Sequence, residues 1–318
     1  MSISYQIFRQ LIIMLVIAVL GFIFAKCCKV GDKEEKFLTK LLLLFINPCL
    51  TMISFNVKFE KEMLAGFLLS LFLSFFVIFL FTVAAKILFH KGKINFDLER
   101  LSTVFTNCGF VGIPLIKAVF GNGGVFYLMG FIAAFNVMLW TYGIVTVGGK
   151  IDFKKVILNT NVLAVIAGII VFCLPVKIPE IIANPVSMIG NCNTAVSMIL
   201  LGIFFAHEFS GVREKLCGIL WTCFVRLVLC SVIAGAVCFG VICLLSKFAG
   251  INMELVKMIC SIVLIASMCP AAVSVSSFAC LFDKDIMFGN LVVCFTHVLC
   301  VVSIPGFMML FEALLEYL

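Results

Sequence analysis

Apolar runs of roughly 20 residues or more, separated only by short charged or Gly/Pro-bearing breaks, fill this sequence from Gln6 to Phe311. A backbone in hydrocarbon has no water to bond, so such runs can cross a bilayer only as helices or as strands of a closed barrel. Barrel strands are short and alternate in polarity. These runs do neither, which leaves an all-α membrane protein. Composition agrees, because 64% of the 318 residues are hydrophobic and mean hydropathy is +1.27, against roughly 45–50% apolar in a soluble domain. One soluble core cannot absorb that surplus.

The breaks predict ten transmembrane helices: Gln6–Cys27, Lys36–Phe55, Met63–Phe89, Leu101–Phe120, Val125–Val147, Val156–Leu174, Ile181–Ala206, Leu216–Leu245, Leu255–Leu281 and Ile286–Phe311. The first is too long for a signal peptide and its strongest basic flank follows it, so it is expected to be retained. Alternate connections hold fifteen Lys/Arg, from Lys26 through Lys91, Lys93 and Lys155 to Lys284, against seven on the opposite side, among them Lys117 and Lys177. Basic residues mark the cytoplasmic face, which puts both termini outside a plasma membrane. That bias also accounts for the net charge of +7, so no nucleic-acid partner follows. All connections are short, and whatever the chain does must happen among its helices.

An internal echo divides the chain. Asn47-Pro48-Cys49-Leu50-Thr51-Met52-Ile53 in the second segment matches Asn193-Thr194-Ala195-Val196-Ser197-Met198-Ile199 in the seventh, and the fourth and ninth segments are both interrupted near the middle. The fourth reads Asn107-Cys108-Gly109-Phe110-Val111-Gly112-Ile113-Pro114 and the ninth Ser267-Met268-Cys269-Pro270-Ala271-Ala272. These fit two five-helix repeats, 1–149 and 150–318, split between Lys150 and Lys155. Five is odd, so the second enters from the opposite side as an inverted repeat. Proline removes an amide and clashes with the preceding turn, so each interruption should free backbone groups. Facing half-helix N-termini would then offer amides and positive dipole ends to an anion.

Catalytic residues are missing from the pattern. His90, His207 and His297 are far apart, and no acid lies centrally in a predicted span, so no enzyme activity, cofactor or metal is expected. The sixteen cysteines lie mostly in apolar runs, where they act as small hydrophobes. Intramembrane polarity is basic or neutral: Arg226, His297, Asn47, Asn107, Asn136 and Asn193. Arg226 either bonds a backbone carbonyl or touches substrate. His297 is either a proton carrier or a bonded core residue, and Lys117 is an interfacial anchor or adds positive potential to a vestibule. Positive helix ends without a countering acid point to a small organic anion, such as a carboxylate.

Asn47-Pro48-Cys49-Leu50, the Asn107 to Pro114 stretch, the Gly121 turn and Pro270, in this order, resemble the auxin efflux carrier family over nearly the whole chain. The resemblance implies a scaffold part, a transport part and a crossover of the fourth and ninth helices with substrate beside it. By that resemblance Asn107, Pro114 and Pro270 are site residues, as is Asn161 in Asn159-Thr160-Asn161, where relatives often have Asn-Pro. The long hydrophilic loop of long plant members is absent here. The expected binding set is Asn47, Asn107, Cys108, Gly109, Gly112, Pro114, Asn136, Asn161, Met268, Cys269 and Pro270, with Arg226 and His297 as charge partners. The expected function is a permease working by alternating access in the bilayer, with a homodimer compatible with it. Two rivals stand: a sodium-coupled symporter of the bile-acid carrier type, and a receptor with a carrier-like fold that binds without transport.

Overall fold

Backbone self-satisfaction dominates the result. In the computed structural model, which describes residues 2–90, 95–151, 154, 158–174, 178–206 and 212–316, the chain is 85% helical with no strand among the described residues. His207, Lys91, Lys93, Lys155 and Lys177, named above, lie outside them.

Among the described residues, seven helices are long and apolar enough to cross a membrane. They are α1 (Ile3–Cys28), α2 (Lys33–Ser54), α3 (Lys61–Leu88), α5 (Cys108–Thr146), α7 (Glu180–Ala206), α8 (Arg213–Leu245) and α11 (Ile286–Leu315). Shorter helices between them are α4 (Phe96–Val104), α6 (Thr160–Cys173), α9 (Met253–Met268) and α10 (Ser274–Leu281). Val156, where the sixth predicted segment is expected to start, lies outside the described residues, and α6 begins at Thr160. Asn159 sets that start by accepting from the amides of Asn161 and Val162. Helix α5 has 39 residues and at about 1.5 Å each would run about 58 Å, nearly twice the hydrocarbon thickness. Gly121 divides it, with φ 66° and ψ −160°, a conformation open almost only to glycine.

Apolar burial is ordered around close helix crossings. A Cβ at Gly202 of α7 would collide with the carbonyl oxygen of Ala18 in α1, and one at Gly21 would lie 2.7 Å from Ile199 Cα. These glycines let the two backbones touch, the mode by which membrane helices associate when lipid is as apolar as leucine. Gly202→Val is expected to destabilise the fold by about 3 kcal/mol through overpacking, read as a lower thermal midpoint in detergent. A Gly306→Val control, where a Cβ meets nothing within 4 Å, should leave that midpoint in place.

At the lysine-rich end, polar contacts join elements distant in sequence. Asp285 caps α11 by accepting from the Phe288 amide at 3.0 Å, and it accepts from Asn95 at 3.1 Å and from Lys215. Burial pushes the Asp285 carboxyl up, but the bonds from Lys215, Phe288 and Asn95 outweigh it and hold the group below its ordinary value. Lys284 pairs with Asp97 at 2.7 Å, so α4, α8 and the α10–α11 turn are tied together.

Candidate functional site

The two interrupted segments meet. Between α4 and α5 the chain is extended at Phe105 and Thr106, and between α9 and α10 at Cys269 to Ala271, and the stretches pair as a short antiparallel bridge of Thr106 with Ala271. The Asn107 amide donates to the Pro270 carbonyl at 2.7 Å and the Ala272 amide to the Phe105 carbonyl at 2.9 Å. The Ala271 amide donates to Thr296 Oγ1 at 3.1 Å. Backbone groups freed by breaking two helices in an apolar interior are thus satisfied mutually, which is the condition for irregular backbone at membrane depth.

One expectation needs correction. Pro114, read as part of the fourth break, sits in the first turn of a continuing helix, and the break lies at Phe105–Asn107, before it. A π-turn over Cys108–Gly112 precedes the proline, with the Ile113 amide bonding the Cys108 carbonyl. That wider turn brings the chain to a ring lacking an amide without unravelling the helix. Pro270 falls inside its break as expected.

Each break has two electrostatic faces. The carboxyl ends of α4 and α9 carry partial negative charge, and both converge on Arg226, which rises from a π-turn in mid-α8 and is 0% exposed. Its guanidinium donates to the carbonyls of Thr103 (2.8 Å), Cys269 (3.0 and 3.1 Å) and Ser267, with Phe81 across its face at 5.3 Å. Arg226 therefore takes the carbonyl-bonding role of the two foreseen. A π-turn in a helix often marks such a site, but the partners could be known only from the fold.

The amino ends of α5 and α10 face the other way, into a cavity of about 320 Å³, the size range of small-molecule sites. Asn47, Asn107, Cys108, Gly109, Asn136 and Asn161 of the expected set all line it. Gly112, Pro114, Met268, Cys269, Pro270, Arg226 and His297 do not. Met268 and Cys269 are 1% and 0% exposed at the end of α9, where Cys269 supplies a carbonyl to Arg226. Gly112 packs against Cys108 and Cys269, so that a Cβ there would lie 3.4 Å from Cys269 Sγ. His297 stands behind the lining, with Nε2 2.8 Å from Asn107 Nδ2. Asn193 also stands behind it and donates to the Gly109 carbonyl at 3.1 Å, fixing the start of α5. Lys117 bonds Asn191 at 2.9 Å on the exposed surface.

Sequence reasoning missed Lys40, Thr51, Thr106, Trp140, Ser274 and Ser277, which also line it. Nothing in their local pattern sets them apart from other helix residues. Asn47 Oδ1, Thr106 Oγ1 and Ser274 Oγ are buried with no hydrogen-bond partner, a condition that costs about 1–3 kcal/mol per group unless water or a ligand supplies a bond. Asn159 also lines the cavity, and the remaining wall is apolar and aromatic, with Phe110, Phe135 and Phe278. Lys40 is the one cation on it and no carboxylate lines it among the described residues.

These features define a multi-pass helical membrane protein whose polar centre lies where two helices are broken. A family model described as a membrane transport protein matches residues 6–308, and the chain belongs to that family, the auxin efflux carriers, whose members are transporters. No curated protein matches the chain.

Proposed function

We propose that this membrane transporter carries a small organic anion by alternating access, binding one carboxylate at the amino ends of α5 and α10. The observation that supports this most is the cavity's make-up: two helix starts, amide side chains and, among the described residues, one lysine and no acid. A carboxylate there meets amide and hydroxyl donors in place of water, while its body lies against Phe110, Phe135 and Trp140. A single cation matches a single negative charge, so monocarboxylates with an apolar body should be favoured over di- and tricarboxylates.

In this reading α4 with the first half of α5 is one span, the second half of α5 another, and α9 with α10 a third. With the seven remaining spans split near Lys150, they make ten in two inverted repeats crossing at the bridge. Lys40, Asn159 and Leu281 lie beside the lysine-rich connections, and because basic residues favour the cytoplasmic face, the cavity mouth in this reading opens to the cytoplasm of a plasma membrane with both termini outside. The structure is then the inward-facing state.

Arg226 weighs against the sodium-coupled rival. Two carboxyl-terminal helix ends would make a cation site of carbonyls, and here that place is filled by a tethered cation. Transport should therefore run equally well in sodium and in choline media. The test is counterflow in proteoliposomes with acetate, benzoate, phenylacetate, succinate and citrate. Exchange of at least one monocarboxylate is expected, and Lys40→Gln should raise its KM about fivefold, equal to about 1 kcal/mol for an exposed charge. Binding without exchange would leave the receptor reading. No exchange and no binding of any member would remove the anion assignment.

A further inference from the structure

His297 sits in mid-α11, 6% exposed, and touches the cavity only through Asn107. Its Nδ1 lies 2.7 Å from the Val293 carbonyl oxygen, which can only accept, so Nδ1 carries a proton. Its Nε2 lies 2.8 Å from Asn107 Nδ2, which can only donate, so Nε2 offers a lone pair. The two contacts together specify the neutral ring in one tautomer. They also orient Asn107: one N–H of its NH2 is held by the ring, so the branch turned away from the ring, on a residue that lines the cavity, is the carbonyl oxygen, an acceptor.

An acceptor repels a carboxylate. If a proton binds Nε2, the ring becomes a donor there, and Asn107 must turn its amide by about 180° to present Oδ1, a change within the broad two-fold torsion of that side chain. The NH2 then faces the cavity and can donate to an anion. Proton and anion each favour the form that the other requires, and such coupling is reciprocal. We infer that His297 and Asn107 form a proton-operated donor–acceptor switch that couples the binding of one carboxylate to one proton, making the carrier a proton–anion symporter. The inference rests on the transport reading above and assigns its coupling ion. In the cycle the proton adds to the Nε2 lone pair when the anion enters and leaves that nitrogen when the anion is released, so one proton and one negative charge cross together.

The surroundings suit a switch that answers to the anion rather than to a fixed acid. The small cavity beside the ring is lined from α1 and α7 by Leu11, Met14, Ala18, Met198 and Leu201, none of them ionisable. Arg226 from α8 is bound to carbonyls of α4 and α9, and the buried thiols of Cys108, Cys269, Cys294 and Cys300 stand on α5, α11 and the break after α9, whereas Arg9 and Lys26 of α1, Lys117 of α5 and Lys257 of α9 stand toward the ends of their helices. The carboxylates Asp97, Glu99 and Asp285 lie at the lysine-rich end, about 18 Å from His297 for the twelve residues from Asp285 at the helical rise. Glu312, at the opposite end, accepts from Ile3 and Ser4.

The experiment uses full-length protein in proteoliposomes with the membrane potential clamped, protein-free vesicles as blank, and the best-exchanged monocarboxylate of the panel. Exchange without a pH gradient is measured first, then net uptake with the interior one pH unit more alkaline, with an internal pH dye recording proton entry. Wild type should exchange, accumulate the anion up to tenfold and acidify the lumen in step with it. His297→Gln, which holds an amide partner for Asn107 but no titrating nitrogen, should keep exchange within a few-fold and lose accumulation. Wild type that exchanges but neither accumulates nor acidifies would overturn this inference and leave the transport reading intact, as would a His297→Gln protein that still accumulates. Absence of all exchange in wild type would overturn both. If His297→Gln fails to fold, the wild-type dye record decides alone.

Discussion

Arg226→Met should lower the thermal midpoint of the purified protein by about 6 °C and abolish transport together with it. The guanidinium bonds three carbonyls at the ends of α4 and α9, and methionine fills much of the volume without a donor. Carbonyls left buried and unbonded cost about 1–3 kcal/mol each, so the loss is on the order of 4 kcal/mol, which for a chain of this size shifts the midpoint by about that interval. Because both helix ends meet on one side chain, the damage should be shared: α4 and α9 lose their common anchor and the Thr106–Ala271 pairing loosens. Arg226→Lys keeps the charge but replaces a planar fork with a point donor, and its midpoint should fall between the two. An unchanged midpoint in Arg226→Met would mean that the paired breaks hold themselves together.

The second large effect is expected at Asn107. Asn107→Asp preserves size but places a negative charge against the site proposed for a carboxylate, within a cavity walled by apolar residues where charge is poorly screened. Like charges in such a place oppose each other strongly, and uptake should fall more than a hundredfold, equal to about 2.7 kcal/mol. Asn107→Ala removes the amide without adding charge and should lose about tenfold. Proteoliposome uptake beside a melting curve separates the two variants. Equal loss in both would indicate that Asn107 serves packing rather than an anion.

The helical class and most of the spans were legible because long apolar runs admit few folds. Legible too was the pairing of interruptions, since Pro270 announces the second one. The first was misplaced because Pro114 looks like a helix breaker, whereas a first-turn proline preceded by a π-turn breaks nothing. Phe105 and Thr106, where the chain does open, are ordinary strand-compatible residues whose conformation is set by pairing with Cys269–Ala272, a contact more than 160 positions away. The same reason hides Lys40, Trp140 and Ser274. Each becomes a cavity residue only when α2, α5 and α10 are brought together. Arg226 stood out by its cost in a span, but its partners are carbonyls, which every residue has, so no pattern of residue types could identify them. Asn47 and Asn193 show the middle case: the echo marked both, and the structure gives one to the cavity and the other to the Gly109 carbonyl behind it.

The central claim is that a carboxylate binds where α5 and α10 begin. It is tested most directly by an experimental structure of the full chain with 4-bromobenzoate, whose bromine marks the ligand independently of shape. The expected result is carboxylate density within hydrogen-bonding reach of Asn107 and the first turns of α5 and α10, with the bromine toward Trp140. Ligand density confined to the carbonyl side around Arg226, or to the lipid-facing surface with the cavity unfilled, would contradict it.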